Sequence, residues 1–444
     1  MNNKKEEAST LGREMYALAE NLYPITRCIT GNGVRQSHEI LRRVLPELVT
    51  QEIRTGERCF DWTIPDEWNI DTAFIETLDG RRVVDFGNHN LHVVMYSEPV
   101  DRVVTREELG KHLHTRPDIP DAIPYITSYF RRTWGFCVSE DQRKALTDDH
   151  YRVLIKSRLE PGSLSYADLI IPGRTEKEVL ISTYTCHPSM ANNEVSGMVV
   201  AAFLGRWLSG LTDRKYTYRL VFVPETIGAI AYLSRHLYEM KAKTVAGFVI
   251  TCVGDDRNYS FMQSRKGNSL ADRAAIHTLK YVLKKEFRSY SFLERGSDER
   301  QYCAPGVDLP VCSLMRTKYG SFPEYHTSHD NLQVISPQGL YGGYAVNQAA
   351  LQCLEANETY LTTTLGEPWL FPRNLRPQLE HGIKLARWSS DISNIIAYSD
   401  GEMDLMAIAE LLGRSVLDLA PVAQRLIGEA LLAVAPDGES VNSA

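Results

Sequence analysis

Three short segments carry side chains suited to one reaction. They are Cys186-His187-Pro-Ser-Met-Ala-Asn-Asn193-Glu194-Val-Ser-Gly197, Val223-Pro224-Glu225-Thr226-Ile227-Gly228, and Pro323-Glu324-Tyr325-His326-Thr-Ser-His329-Asp330. Two imidazoles and one carboxylate around an open position are the usual ligand set of a catalytic zinc. A second carboxylate nearby can take a proton from water that the metal activates. A phenol beside the last imidazole can donate a hydrogen bond to a tetrahedral oxyanion. Each residue also has a plainer use. A histidine at a strand end can bond to backbone, and a glutamate in a first helical turn is favoured by the helix dipole. Their joint placement is what favours chemistry.

That placement follows from the flanking patterns. Val179 to Thr185 is a strand-like, largely apolar run, and Val195, Met198, Val199, Ala202 and Phe203 recur at helical spacing. Asn193 to Gly197 are therefore expected in a first helical turn. Tyr218 to Pro224 repeats the design, a strand entering a helix over 227–241. Further strands are expected at 166–172, 245–252 and 309–314, and helices at 270–286 and 337–355. Such alternation predicts an α/β fold, a mixed but mostly parallel sheet with helices on both faces. Ligands of such sheets collect beyond the carboxyl ends of the strands.

Residues 1–61 and 160–362 are assigned to this body. Two helices, 7–21 and 34–47, flank a turn-rich linker holding Arg27. Its simplest role is to pair or cap, with contact to a substrate anion as the second reading. Residues 62–159 have a different texture: short β-like runs, clustered prolines, and the aromatic side chains Trp62, Trp68, Tyr125, Tyr129, Phe130 and Trp134. They are expected to form a small β-rich inserted domain. The pairs His89/His92 and His112/His114 lack a third ligand and read as packing histidines. Residues 366–444 contain three helical patterns with helix-turn-helix texture around Gly413-Arg-Ser. This stretch from Leu365 on carries 11 acidic against 6 basic side chains, a net −5, whereas phosphate contact needs the opposite sign. No nucleic-acid partner is expected, and a packing or oligomerisation role fits better.

The whole chain is ordinary for a soluble protein, with 444 residues, 43% hydrophobic and 24% charged side chains, and a net charge of −7. No apolar run approaches the ~20 residues that span a bilayer, and the N-terminus has no apolar signal core. The eight cysteines never form Cys-x-x-Cys, which points to reduced thiols and a cytoplasmic location, away from membranes.

The order His187, Asn193-Glu-x-Ser-Gly197, Glu225-x-x-Gly228, Ser297-Asp298, Tyr325-His326 resembles the zinc aminopeptidase fold family, which includes glutaminyl cyclases. It is closest to a bacterial aminopeptidase-like group with an inserted β domain and a C-terminal winged-helix-like domain. Phe60-Asp-Trp-Thr-Ile-Pro65, Ile25-Thr-Arg-Cys-Ile-Thr-Gly-Asn-Gly33 and Gly254-Asp-Asp-Arg257 also look typical of that group. The resemblance implies Glu225 as general base and Tyr325 as oxyanion donor. The chain departs from the di-zinc members at three ligand positions, which here hold Asn193, Thr226 and Thr251. With three carboxylates lost, one zinc is expected, held by His187, His326 and Glu194, with Asp298 in reserve. Asp255, Asp256, Arg257, Asp298 and Arg300 are candidate substrate-pocket residues. An acidic pocket would suit a free amine and an arginine a carboxylate. The expected activity is zinc-dependent hydrolysis of an amide bond in a short peptide or small molecule, in a homo-oligomer. Rivals are acyl transfer or cyclisation on the same fold, a metal-free scaffold, and a regulator acting through the C-terminal domain.

Overall fold

The computed structural model describes residues 2–375 and 383–436. The C-terminal domain expected over 366–444 thus includes stretches, 376–382 and 437–444, that lie outside the described residues. The chain divides into two compact units, Met1–Asp272 with Phe287–Ala345, and Arg273–Glu286 with Val346–Ala444.

The first unit is built on an eight-stranded sheet. In chain order its strands are β1 (Val49–Arg54), β2 (Ser163–Ile171), β3 (Glu178–Tyr184), β4 (Thr217–Val223), β5 (Thr244–Val249), β6 (Ser260–Met262), β7 (Arg288–Tyr290) and β8 (Val311–Met315). Their spatial order is β1-β2-β4-β3-β5-β8-β6-β7. The middle, from β4 through β8, is parallel, and β1, β2 and β6 pair antiparallel at the flanks. Every residue of β3 is buried, as expected of a strand covered on both faces. Helices α1 (Asn2–Leu22), α2 (Asn32–Leu41), α3 (Ser196–Ser209) and α4 (Ile227–Lys243) complete the part that concerns the site.

The chain leaves β3 through α3 to reach β4 on one side, then crosses through α4 to β5 on the other. This reversal about β3 makes a crevice at the carboxyl edge. Tyr184 at the end of β3 pairs with Val223 at the end of β4, so His187 and Glu225 emerge side by side.

Residues 67–160 contribute a separate four-stranded antiparallel sheet, ordered Arg82–Asp85, Glu67–Thr77, His150–Glu160, Val100–Thr105. It does not pack as a separate body. One core runs from Trp68, Ile75 and Val153 of this sheet to Leu180, Val221 and Val223 of the large one. Of the histidines paired in sequence here, His92 Nδ1 meets the Cys137 carbonyl at 2.9 Å, His89 Nδ1 accepts from Leu91 N–H at 3.1 Å, and His112 stacks on Trp134 with ring centres 3.7 Å apart. The second unit has a three-stranded antiparallel sheet (Asp400–Asp404, Thr359–Thr362, Leu432–Val434) with helices Ile383–Ala397, Leu405–Leu411 and Val416–Gly428. Asp404 and Ser415 cap the last two helices. No described helix is long and apolar enough to cross a membrane.

Candidate active site

Beyond β3 the backbone enters α3 through a π-helical turn, Ala191–Val195, where a plain first helical turn is expected from the periodicity. Such turns are frequent at functional sites. The buried Asp330 carboxylate holds this one, accepting from Asn192 N–H at 2.7 Å and Asn193 N–H at 3.0 Å. Burial raises the Asp330 pKa to about 7, even though both amides act to lower it. The Asn193 amide nitrogen donates to the Tyr184 hydroxyl at 2.5 Å. Its Oδ1 therefore faces His326 Nε2, 3.1 Å away.

Glu194 is tied into a fully buried network. Its Oε1 accepts from Arg27 Nε at 2.7 Å. Its Oε2 accepts from the backbone N–H of Cys186 at 2.7 Å and of His187, and meets His187 Nδ1 at 2.8 Å. Both partners of the Arg27–Glu194 ion pair have side chains with no exposure. Arg27 is thus a pairing residue and not a substrate contact. Glu194, with both oxygens committed, orients the imidazole from behind. His187 Nε2 is left facing Glu225 Oε2 at 3.7 Å. Burial works to lower the His187 pKa, but the bond to Glu194 and the charges of Glu194 and Glu225 prevail and raise it.

Glu225 follows β4, and Thr226 after it adopts φ 67°, ψ −76°. This is a rare γ-turn, closed by Ile227 N–H to the Glu225 carbonyl at 2.8 Å. His326 also has positive φ, 56°. Strained non-glycine residues of this kind persist only where surroundings over-determine them, and they gather at active sites. Burial raises the Glu225 pKa, opposed by His187 and Arg300. Asp298 lies behind it: its Oδ1 accepts from Thr226 N–H at 2.7 Å and its Oδ2 is buried without a partner. Burial, then the nearby Glu225 charge, push its pKa well up.

His326 is supported from the inserted sheet's side. Tyr125 N–H donates to the His326 carbonyl at 2.9 Å, and Ser328 N–H to the Ile123 carbonyl at 2.8 Å. The Tyr125 ring lies 5.0 Å from His187 and 5.2 Å from His326. Tyr325 stacks on His326 with ring centres 3.9 Å apart. It is not among the cavity-lining residues. Burial, then Glu225, hold its phenol protonated. The His326 pKa falls to about 3, through burial and then His187.

These groups meet in a cavity of about 570 Å³. His187, His326, Glu225, Thr226, Arg300 and Cys186 line its polar end, and Trp62, Tyr125, Tyr129 and Phe130 form an aromatic wall. Tyr125, Tyr129 and Phe130 of that wall come from the insert, and Trp62 from the short hairpin just before it.

Three expected pocket residues stand elsewhere. Asp255 is buried in a clamp, accepting from Asn192 Nδ2 at 3.1 Å, Thr317 N–H at 2.9 Å and the Thr317 hydroxyl at 2.7 Å. Asp256 takes the Ser336 hydroxyl. Arg257 forks onto Glu324 at 2.6 and 2.9 Å. Each is paired with a residue of another segment, and none lines the cavity.

The residues present fit one divalent ion. Among the described residues, Cys186, His187 and Glu194 also bring ligand atoms within 4.8 Å of one another, a second donor set on the same imidazole. The ring centres of His187 and His326 are 5.4 Å apart. Zn–N bonds of about 2.0–2.1 Å at a tetrahedral angle put two coordinated rings roughly 5 Å apart. The low His326 pKa keeps that imidazole neutral, as metal binding requires.

A parallel-centred α/β sheet with a crevice of imidazole and carboxylate at its carboxyl edge defines the aminopeptidase fold class, here with a C-terminal winged helix. Comparison with known proteins agrees. Over 78% of this chain and 94% of the other, the fold matches a zinc aminopeptidase from Bacillus subtilis, with TM-score 0.57 and 12% identity. The chain itself belongs to the family described as a domain of unknown function (DUF4910), matched over residues 16–357, and a winged helix-turn-helix model matches residues 358–434. A Clostridium acetobutylicum protein named for polysaccharide biosynthesis and an aminopeptidase-like domain is 41% identical over 92% of this chain and 93% of its own. A crystal structure from the same organism, named for a peptidase, superposes with TM-score 0.88 at 39% identity, covering 98% and 99% of the two chains.

Proposed function

We propose that this chain hydrolyses an amide bond with one zinc ion and Glu225 as the proton carrier. The observation that carries the reading is the convergence of His187 Nε2, His326 and the Glu225 carboxyl on one cavity. His187 and His326 would hold the ion, with Asn193 Oδ1 as the third donor. Glu194 instead fixes the His187 ring through Nδ1, as carboxylates commonly do for metal-bound histidines. Bound there, zinc would supply Lewis acidity to the scissile carbonyl and acidity to water.

The protein's own groups do the rest. Glu225 takes a proton from the attacking water and returns it to the leaving nitrogen. Burial tunes its pKa upward toward the range where both transfers are efficient. Asp298, its pKa pushed up by burial and by Glu225, accepts from Thr226 N–H and so fixes the γ-turn that aims the base. Tyr125 and Tyr325 hold the His326 ring between them, and the aromatic wall excludes water from the apolar end.

Zinc titration of the full chain, alongside turnover of N-acyl and aminoacyl amides, tests this. About one zinc per chain is expected, lost in His326→Ala, and Glu225→Gln should abolish turnover while metal stays bound. Turnover retained in Glu225→Gln, or a folded chain that takes up no zinc, overturns the proposal.

A further inference from the structure

The cavity holds one guanidinium and almost no competing negative charge. Arg300 lines it. Its Nη2 donates to the Thr226 hydroxyl, and its Nε is buried with no hydrogen-bond partner. Among the described residues no carboxylate lies within ion-pairing distance of it. Arg300 as a whole is only partly buried, so the guanidinium at the cavity wall still has N–H groups to offer beyond its bond to Thr226.

The surrounding carboxyl groups other than Glu225 do not line the cavity. Glu194 is occupied by Arg27 and His187. Glu299 Oε1 accepts from Gly296 N–H at 2.9 Å, Ser297 N–H at 3.1 Å and the Tyr319 hydroxyl at 2.5 Å. Asp298 is fully buried behind Thr226, and Asp255 and Asp256 stand outside the cavity. Among the described residues, Glu225 alone presents a carboxyl to the space. A substrate ammonium would have to pair with the group that must move the proton, beside a repelling guanidinium. A substrate carboxylate meets a planar fork of matching geometry.

We infer that Arg300 binds a carboxylate on the substrate, next to the bond that is cut, so that the substrate is an N-acyl amino acid and not a peptide with a free amino terminus. The inference rests on the hydrolase reading. Position supports the proximity: Arg300 is tied to Thr226, the neighbour of the base, and consecutive Cα atoms are about 3.8 Å apart. An α-carboxylate on the leaving amine half is the anion that falls so close to the scissile nitrogen. The other half then lies along Trp62, Tyr125, Tyr129 and Phe130, which suits an apolar or aromatic acyl group.

Binding separates this inference from the chemistry beneath it. The full chain carrying Glu225→Gln is titrated calorimetrically with N-acetyl-L-phenylalanine, N-acetyl-L-phenylalaninamide and L-phenylalaninamide. The carboxylate is expected to bind about 10- to 100-fold more tightly than its neutral amide, in keeping with hydrogen bonds to a charged group. The free amine should bind weakest. Adding Arg300→Gln should erase the preference, and Arg300→Lys should restore part of it. Should Arg300→Gln not fold, the ratio of the two N-acetyl ligands in the Glu225→Gln background still decides. Equal affinity for carboxylate and carboxamide, or tighter binding of the free amine, overturns the inference. If turnover is seen on aminoacyl amides without carboxylate preference, the hydrolase reading survives and this one does not. A carboxylate preference without turnover has the reverse meaning.

Discussion

Replacing Arg27 by Met tests how the site is held. Arg27 and Glu194 are both fully buried and 2.7 Å apart. The guanidinium also donates to the His187 carbonyl at 3.0 Å and the Leu22 carbonyl at 2.6 Å. Methionine fills much of the volume but leaves Glu194 an uncompensated buried charge. Breaking a buried pair from one side costs about 3–5 kcal/mol. Unfolding entropy of about 2.1 cal/mol/K per residue, over a unit of roughly 330 residues, gives about 0.7 kcal/mol/K, hence a Tm lower by about 4–7 °C. Differential scanning calorimetry reads this directly. The decisive variant is Arg27→Met with Glu194→Gln: with the stranded charge gone, most of the loss should return, because removing both partners is far milder than removing one. A double variant no more stable than Arg27→Met would refute the ion-pair reasoning and leave packing as the cause.

Other expectations follow from the same geometry. Glu194→Gln should weaken zinc binding about 10- to 100-fold without removing a direct ligand, as competition with a chromophoric chelator would show; an unchanged affinity would contradict its orienting role. Asn193→Asp should tighten zinc binding by placing a charge where the amide oxygen now stands, and the same titration checks it. His38 is buried in α2, and burial, with Arg42 and Arg35, lowers its pKa from 6.5 to about 3. Because the folded value is depressed, the stability this neutral ring confers is present above about pH 6.5 and lost as pH falls toward 3. His38→Gln should therefore show a shallower acid-side stability profile than the parent in urea unfolding at pH 4–7.

The strands were legible where apolar residues formed runs of useful length. β3 and β4 carry such runs, and their ends place His187 and Glu225, so the crevice is legible from the chain alone. β6 and β7 are three residues each, too short for a period of two to register. The π turn at Ala191–Val195 also escaped, because apolar periodicity reports which face is buried and not which carbonyl an amide reaches. Glu194 shows the same limit at the site. A carboxylate one position past a lost ligand is chemically able to replace it, and only tertiary structure could reveal an arginine 167 positions away holding it in reserve.

The inserted sheet resolves a question that the catalytic segments alone leave open. His326 sits on a loop in a strained backbone conformation, and such a residue keeps its geometry only if neighbours enforce it. Asn193 fixes one side of its ring, Tyr325 a face, and the backbone of Ile123 and Tyr125 bonds to the loop itself. Two of these supports come from the insert, and so does most of the aromatic wall. The same segment therefore positions a candidate ligand and shapes the apolar subsite. That coupling makes the insert part of the candidate site, and it follows that removing residues 67–160 would abolish the geometry at His326 together with Tyr125, Tyr129 and Phe130 of the wall.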